Sequence, residues 1–127
     1  MTSPTPPAGL VLEAEDAKLV VLARSARLRA YTSASQPAEG AAVRDTDGRT
    51  YAAATVSHTR PELATSALRA AVVAAASSGA RRFEAAAVVT EAGEAAGDDL
   101  AMLAEFGAGV PVYLAGPDGV ARSRVTS

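Results

Sequence analysis

The chain has 127 residues and a formal charge of −2, so it is long enough for one domain with an ordinary buried core. Hydrophobic residues make up 49% of it but aromatic residues only 4%, so that core must be built from Ala, Val and Leu. The weak negative charge gives no electrostatic case for binding nucleic acid or an anionic membrane. The absence of cysteine excludes disulfides, thiolate zinc sites and cysteine nucleophiles.

The beginning of the chain predicts a tail and then a helix. Residues 1–9, MTSPTPPAG, are rich in Pro, Ser and Thr, which predicts a disordered tail before a domain over residues 10–127. No signal peptide or spanning run is visible, so we expect a cytoplasmic protein with no membrane partner. Apolar residues recur at helical spacing from about Glu13 to Ala30. Three arginines on the opposite side could bind an anion, although a solvated face is the simpler interpretation; they are Arg24, Arg27 and Arg29.

A hairpin is predicted next. A loop over Tyr31–Glu39 leads into the run Gly40–Arg44, and the turn dipeptide Asp47-Gly48 separates that run from Arg49–Val56. We expect two antiparallel strands here.

The stretch Pro61–Gly79 predicts a central helix. Thr59 is a possible N-cap, Pro61 suits the first turn, and Gly79 suits the end. Its apolar positions are mostly alanine, and small side chains let a helix lie close to a sheet or a neighbouring helix.

Helices and strands alternate in the second half of the chain. The predicted elements are a strand over Phe83–Val89, a helix over Asp98–Phe106, a strand over Val110–Ala115 and an edge strand over Val120–Val125. The whole order predicts an α/β fold with three layers, α/β/α, around a mixed five-stranded sheet.

Several segments share one register with a known family. The matching residues are Ala30-Tyr31, Ser35, Gly40-Ala41-Ala42, Asp47-Gly48 and Tyr51. Together with the element order, they resemble the small cytidine deaminases, whose first block reads approximately A-Y-x-P-Y-S-x-F-x-V-G-A-A and precedes a D-G hairpin. The family's C-A-E-R motif then falls on Ser66-Ala67-Leu68-Arg69, and its P-C-G-x-C motif falls on Ala95–Asp99.

The resemblance implies that the catalytic apparatus is missing. In the zinc deaminases three Cys or His ligands hold Zn²⁺, which activates water, and a Glu that is not a ligand moves protons. The ligand positions here are Ser66, Ala96 and Asp99, and the proton-shuttle position is Leu68. One carboxylate does not replace three protein ligands, and leucine moves no proton. We therefore predict an inactive member without zinc or another cofactor, in which Leu68 fills the former pocket.

The positions that read the nucleoside have also changed. The family's base-stacking Phe falls on Pro37, and its ribose-binding Asn and Glu fall on Thr55 and Ser57. The two hydroxyls can form hydrogen bonds, but neither reproduces a carboxylate that grips a sugar.

Three functions remain open. The first is association, as a dimeric or tetrameric homo-oligomer or with a protein partner, because the family packs its central helices across subunit interfaces. The second is small-molecule or nucleoside binding in the remnant pocket. The third is a deaminase with rearranged ligands, in which His58 joins Asp98 or Asp99 in a non-standard metal site, although Asp98 and Asp99 are also ordinary residues for the start of a helix.

Overall fold

A computed structural model describes residues 9–33 and 36–127. Its elements, in chain order, are α1 (Ala14–Arg27), β1 (Gly40–Asp45), β2 (Thr50–Ala54), α2 (Ala67–Ser77), β3 (Phe83–Val89), α3 (Gly97–Ala104), β4 (Pro111–Ala115) and β5 (Ala121–Thr126). The strands form one sheet in the order β2-β1-β3-β4-β5. Only β3 and β4 are parallel neighbours, and the other pairs are antiparallel. The predicted mixed five-stranded sheet is confirmed.

Helices cover both faces of the sheet, which confirms the three layers. Ala85, Ala87 and Val89 pack with α1 on one face, and Ala86 and Val88 pack with α2 and α3 on the other. Because the centre of β3 is buried on both sides, its sequence is a continuous apolar run and does not alternate with polar residues.

Helix α1 lies so close to β1 that only glycine fits at the contact. A Cβ atom built on Gly40 would lie 2.0 Å from the carbonyl oxygen of Ala23 and 2.6 Å from the amide nitrogen of Arg27. Both are backbone atoms, so no rotamer change can relieve the clash.

We expect Gly40→Ala to lower the free energy of unfolding by about 1–3 kcal/mol, the usual cost of overpacking a core. Urea unfolding measures the loss. Gly97→Ala is the matched control, because a Cβ there meets nothing within 4 Å. Equal stability of the two variants would contradict the close approach of α1 to β1.

The central helix begins later than the sequence predicts. Its N-cap is Ser66, whose Oγ accepts a hydrogen bond from the Arg69 amide at 3.3 Å, and not Thr59. Pro61–Leu63 forms a separate 3₁₀ turn.

A backbone pairing that precedes the helix explains this late start. Val56 and Thr65 exchange two backbone hydrogen bonds, of 3.0 and 2.7 Å, which keep the chain extended from Ala64 to Ser66. The predicted end is confirmed, because Gly79 follows the helix with φ of +105°, a conformation that favours glycine.

Other boundaries differ by a few residues. Helix α1 ends at Arg27, before the predicted Ala30, and α3 ends at Ala104, before the predicted Phe106. The predicted match at Ser35 and residues 1–8 of the predicted tail lie outside the described residues; Gly9 is described and lies against Val120. Within the described ranges, no helix is long and apolar enough to cross a bilayer.

A buried polar cluster joins α1 to the sheet. The Arg44 guanidinium lies 3.0 Å from one carboxylate oxygen of Asp16, and the Tyr113 hydroxyl donates a 3.0 Å hydrogen bond to the other. Burial raises the pKa of Tyr113, and the hydrogen bond to Asp16 raises this pKa further.

This raised pKa predicts a stability loss at alkaline pH. The contribution of Tyr113 is fully present below the unfolded-state pKa of about 10 and is lost as pH rises through the folded-state pKa, because the unfolded chain releases the proton first. Above a pH of about 10, we expect the free energy of unfolding to fall less steeply for Tyr113→Phe than for the unchanged chain. Tyr31→Phe, which removes an exposed tyrosine hydroxyl, provides the baseline. A slope as steep in Tyr113→Phe as in the baseline variant would contradict this role.

Candidate functional site

A cavity of about 280 Å³ opens where α2 and α3 begin. Ser66, the N-cap of α2, and Ala96, the N-cap of α3, both line it, together with Asp98 and Asp99 from the first turn of α3. The first amides of a helix have no partner within the helix, and its N-terminus carries partial positive charge. Two helix N-termini therefore face one cavity.

One carboxylate connects the two helices. Asp99 is only 7% exposed, and its Oδ1 accepts a 2.8 Å hydrogen bond from Ser66 Oγ. A guanidinium nitrogen of Arg69 lies 3.7 Å from the same oxygen. Because the hydroxyl is hydrogen-bonded to this oxygen and the guanidinium lies at ion-pair distance from it, Ser66, Arg69 and Asp99 form one polar cluster.

This donor set does not fit a catalytic zinc ion. Ala96 offers no donor atom, Ser66 offers a neutral hydroxyl, and Oδ1 of Asp99 is already engaged by two side chains. Catalytic zinc sites use three protein ligands. Over residues 9–33 and 36–127, no group of three or more His, Cys, Asp or Glu side chains is placed to hold a metal ion.

Leu68 points away from the cavity. It is 2% exposed and belongs to the core between α2, α3 and the sheet, with Val72 and Leu103. It does not line the cavity. Leu68 therefore packs into the core and does not fill the cavity that Ser66, Ala96 and Asp99 line, which differs from the prediction that it fills the former pocket.

The positions assigned to nucleoside recognition are only partly brought together. Pro37 and Thr55 line the cavity, whereas Ser57 does not. The Thr55 hydroxyl accepts from the Glu39 amide at 3.1 Å. Ser57 is 1% exposed, and its hydroxyl accepts from the amide of Ser33 at 3.1 Å. Both hydroxyls are thus engaged by the protein's own backbone.

Sequence reasoning missed two charged residues of the cavity, Glu39 and Arg69. Arg69 stands directly in the C-A-E-R match, which was the available signal. The Glu39 carboxylate accepts a hydrogen bond from the Thr90 hydroxyl. The sequence does not indicate this contact. Glu39 precedes β1 and Thr90 follows β3, and only the antiparallel pairing of these two strands brings them together.

His58 is exposed and is not among the residues that line the cavity with Asp98 and Asp99. A larger cavity, of about 420 Å³, lies beyond Thr90 at the carboxyl ends of β3 and β4. It contains none of the positions that the sequence assigned to the metal or the nucleoside.

Comparison with known proteins agrees with this architecture. The profile of the family described as cytidine deaminase-like matches residues 12–119. The crystal structure of cytidine deaminase from Burkholderia pseudomallei is similar with 28% identity and a TM-score of 0.76, over 87% of this chain and 89% of that one. Cytidine deaminase from Mycobacterium tuberculosis shows 28% identity and a TM-score of 0.71, over 87% and 90%. Cytidine deaminase from Mycobacterium leprae, at 23% identity with a TM-score of 0.74 over 90% and 94%, shares the fold. No curated protein matches the chain significantly.

Proposed function

Because the chain belongs to the cytidine deaminase-like family, we propose that it is a member that has lost zinc-dependent deamination and acts by association. Its partner would be a second copy of the chain or another protein. The cytoplasmic location stays a prediction from the sequence.

The observation that carries this proposal is the composition of the cavity where α2 and α3 begin. Ser66, Ala96 and Asp99 supply one carboxylate, and that carboxylate is held by Ser66 and Arg69. Zinc is what lowers the pKa of a bound water from about 15.7 to about 7 in such enzymes. A site that cannot hold the metal has no hydroxide that could attack the ring of a nucleobase.

Loss of the proton shuttle supports the same proposal. A deaminase must carry a proton from the attacking water to the leaving ammonia, and the family uses a Glu for this step. Leu68 stands at that position and is buried in the core. In this proposal the chain therefore lacks both the metal that activates water and the side chain that moves the proton.

Association is supported by large apolar side chains on the surface. Val21 on α1 is 66% exposed, and Leu28, the C-cap of α1, is 82% exposed. Exposed apolar groups that cluster are typical of interaction surfaces.

The decisive experiment measures zinc content and cytidine turnover in the same sample, purified without an affinity tag that carries metal. We expect almost no zinc and no turnover, also after incubation with zinc. About one zinc per chain together with turnover would overturn the proposal. In that case His58→Ala, Asp98→Asn and Asp99→Asn would identify rearranged ligands.

A second candidate function, small-molecule binding, is favoured by the cavity itself, which keeps about 280 Å³ and polar groups from Glu39, Arg69 and Asp98. A ligand at a hundred times its dissociation constant would stabilise the fold by about 2.7 kcal/mol. Thermal shifts against a panel of nucleosides and bases test this function. Ala96→Leu, which fills the cavity, is the control that should abolish any shift.

A further inference from the structure

We propose that two copies of this chain associate through the outer face of α1, with the two α1 helices antiparallel. This inference rests on the association part of the proposed function, and it names the partner and the surface. The surface, called the α1 seam below, consists of Ala14, Ala17, Val21, Arg24 and Leu28.

The α1 seam has the spacing of a helix-pairing surface. Its five residues follow one another at intervals of three and four, as the contact positions of paired helices do. All five are exposed. The buried residues of α1, which face the sheet, are Leu19, Val20, Ala23 and Ala26. The helix is therefore apolar on its inner face and also along part of its outer face.

The shape of the surface fits a second helix. Shallow cavities of about 260 and 370 Å³ flank Val21, and Val21 lines both of them. Val120 borders the first cavity and Pro117 the second. Val21 thus forms a ridge between two grooves, and a second copy with the same ridge and grooves can interlock with it around a two-fold axis.

An antiparallel arrangement centred on Val21 pairs large side chains with small ones. Leu28 and Ala14 lie at equal distances along the sequence on either side of Val21. Leu28 of one copy therefore lies opposite the partner's Ala14, and the same contact recurs at the other end of the seam. A large side chain facing alanine lets the two helices approach closely.

The charges of α1 favour an antiparallel pairing with a second copy of the chain. Acidic residues stand near its start and basic residues near its end, and the exposed outermost ones are Glu13 and Arg29. In the antiparallel pair, Glu13 of one copy approaches the partner's Arg29. A parallel pair would place like charges together. The only like-charge approach, Lys18 to the partner's Arg24, is moderated by Glu15, which lies 3.1 Å from Lys18.

The expected dimer is weak. Stable interfaces bury about 1,200 Å² or more in total, and one pair of four-turn helices with its borders lies near that limit. We therefore expect a dimer whose fraction changes with concentration.

Sedimentation equilibrium of the full chain over a wide concentration range tests the proposal. We expect Val21→Glu and Leu28→Glu each to raise the dimer dissociation constant at least about tenfold, which corresponds to 1.4 kcal/mol. Both side chains are exposed, so the fold should be unaffected. Val73→Glu is the matched control: it places the same charge on the exposed side of α2 and should leave the dissociation constant unchanged.

A charge exchange tests the direction of the helices. Glu13→Arg and Arg29→Glu should each weaken self-association, because each variant sets like charges against one another. An equimolar mixture of the two variants should form a mixed dimer more tightly than either variant alone. The direction is read from each single variant. A parallel pair has like charges at positions 13 and 29 with or without either substitution, so two variants that associate as tightly as the unchanged chain would overturn the antiparallel arrangement.

Two further outcomes would overturn the inference. If Val73→Glu dissociates the oligomer and Val21→Glu does not, the chain associates through α2, and the proposed function survives without the α1 seam. If the chain stays monomeric at all concentrations, its partner is a different protein. Zinc content and cytidine turnover separately decide whether the proposed loss of activity stands.

Discussion

A variant with cysteine at all three ligand positions, Ser66→Cys/Ala96→Cys/Asp99→Cys, is expected to bind about one zinc ion per chain, which the unchanged chain should not do. The Ser66 hydroxyl and the Asp99 carboxylate already lie 2.8 Å apart, and Ala96 and Ser66 line the same cavity. Two helix N-termini and the Arg69 guanidinium would lower the pKa of the new thiols and favour the thiolates that zinc requires.

Zinc content by elemental analysis and thermal unfolding with and without zinc measure the result. At free zinc a hundredfold above its dissociation constant, the fold should gain about 2.7 kcal/mol. The double variant Ser66→Cys/Asp99→Cys is the control, because it lacks the third ligand and should bind zinc far more weakly. A folded triple variant that takes up no zinc would show that the three positions do not converge as ligands.

The same geometry shows what joins the starts of α2 and α3 in this chain. Here Asp99 on α3 accepts from Ser66 at the start of α2, and it also neutralises Arg69. One carboxylate therefore joins the two helices and offsets the positive charge that their N-termini and Arg69 bring to the cavity.

Most elements could be predicted from the sequence because their signals are local. The run Phe83–Val89 is found as β3 with the predicted bounds, and the turn at Asp47-Gly48 joins β1 to β2. The start of α2 could not be predicted, since Thr59 and Pro61 are good start signals in themselves. The backbone pairing of Val56 with Thr65, which depends on how the chain folds and not on either residue type, overrides them.

The site was predicted only in part for the same reason. The resemblance led to Ser66, Ala96 and Asp99, which do line one cavity, and to Pro37 and Thr55, which line it as well. It did not reveal that the Ser57 hydroxyl accepts a hydrogen bond from a backbone amide, nor that the Glu39 carboxylate accepts one from the Thr90 hydroxyl. Such pairings depend on which loops meet in three dimensions, and residue types alone do not encode them.

An acid introduced at position 68, which the resemblance assigns to the proton shuttle, is expected to damage the fold. Leu68→Glu should lower the free energy of unfolding at neutral pH by about 3–5 kcal/mol, because it leaves a charge buried without a partner. Leu68 is 2% exposed, and Val72 and Leu103 belong to the same core cluster. The loss should be smaller at acidic pH, since a protonated carboxyl is less costly to bury than a carboxylate.

Urea unfolding at both pH values measures this loss, with Leu68→Met as the control that keeps the volume and should cost less than about 1.5 kcal/mol. If Leu68→Glu were as stable as Leu68→Met at neutral pH, the new carboxylate would have to reach the cavity where α2 and α3 begin. Position 68 would then still be part of an open polar pocket, and a lost proton shuttle could be restored by one substitution. A large, pH-dependent loss would instead mean that the pocket has become part of the hydrophobic core. Regaining catalysis would then require the core around α2 to be repacked as well as new metal ligands.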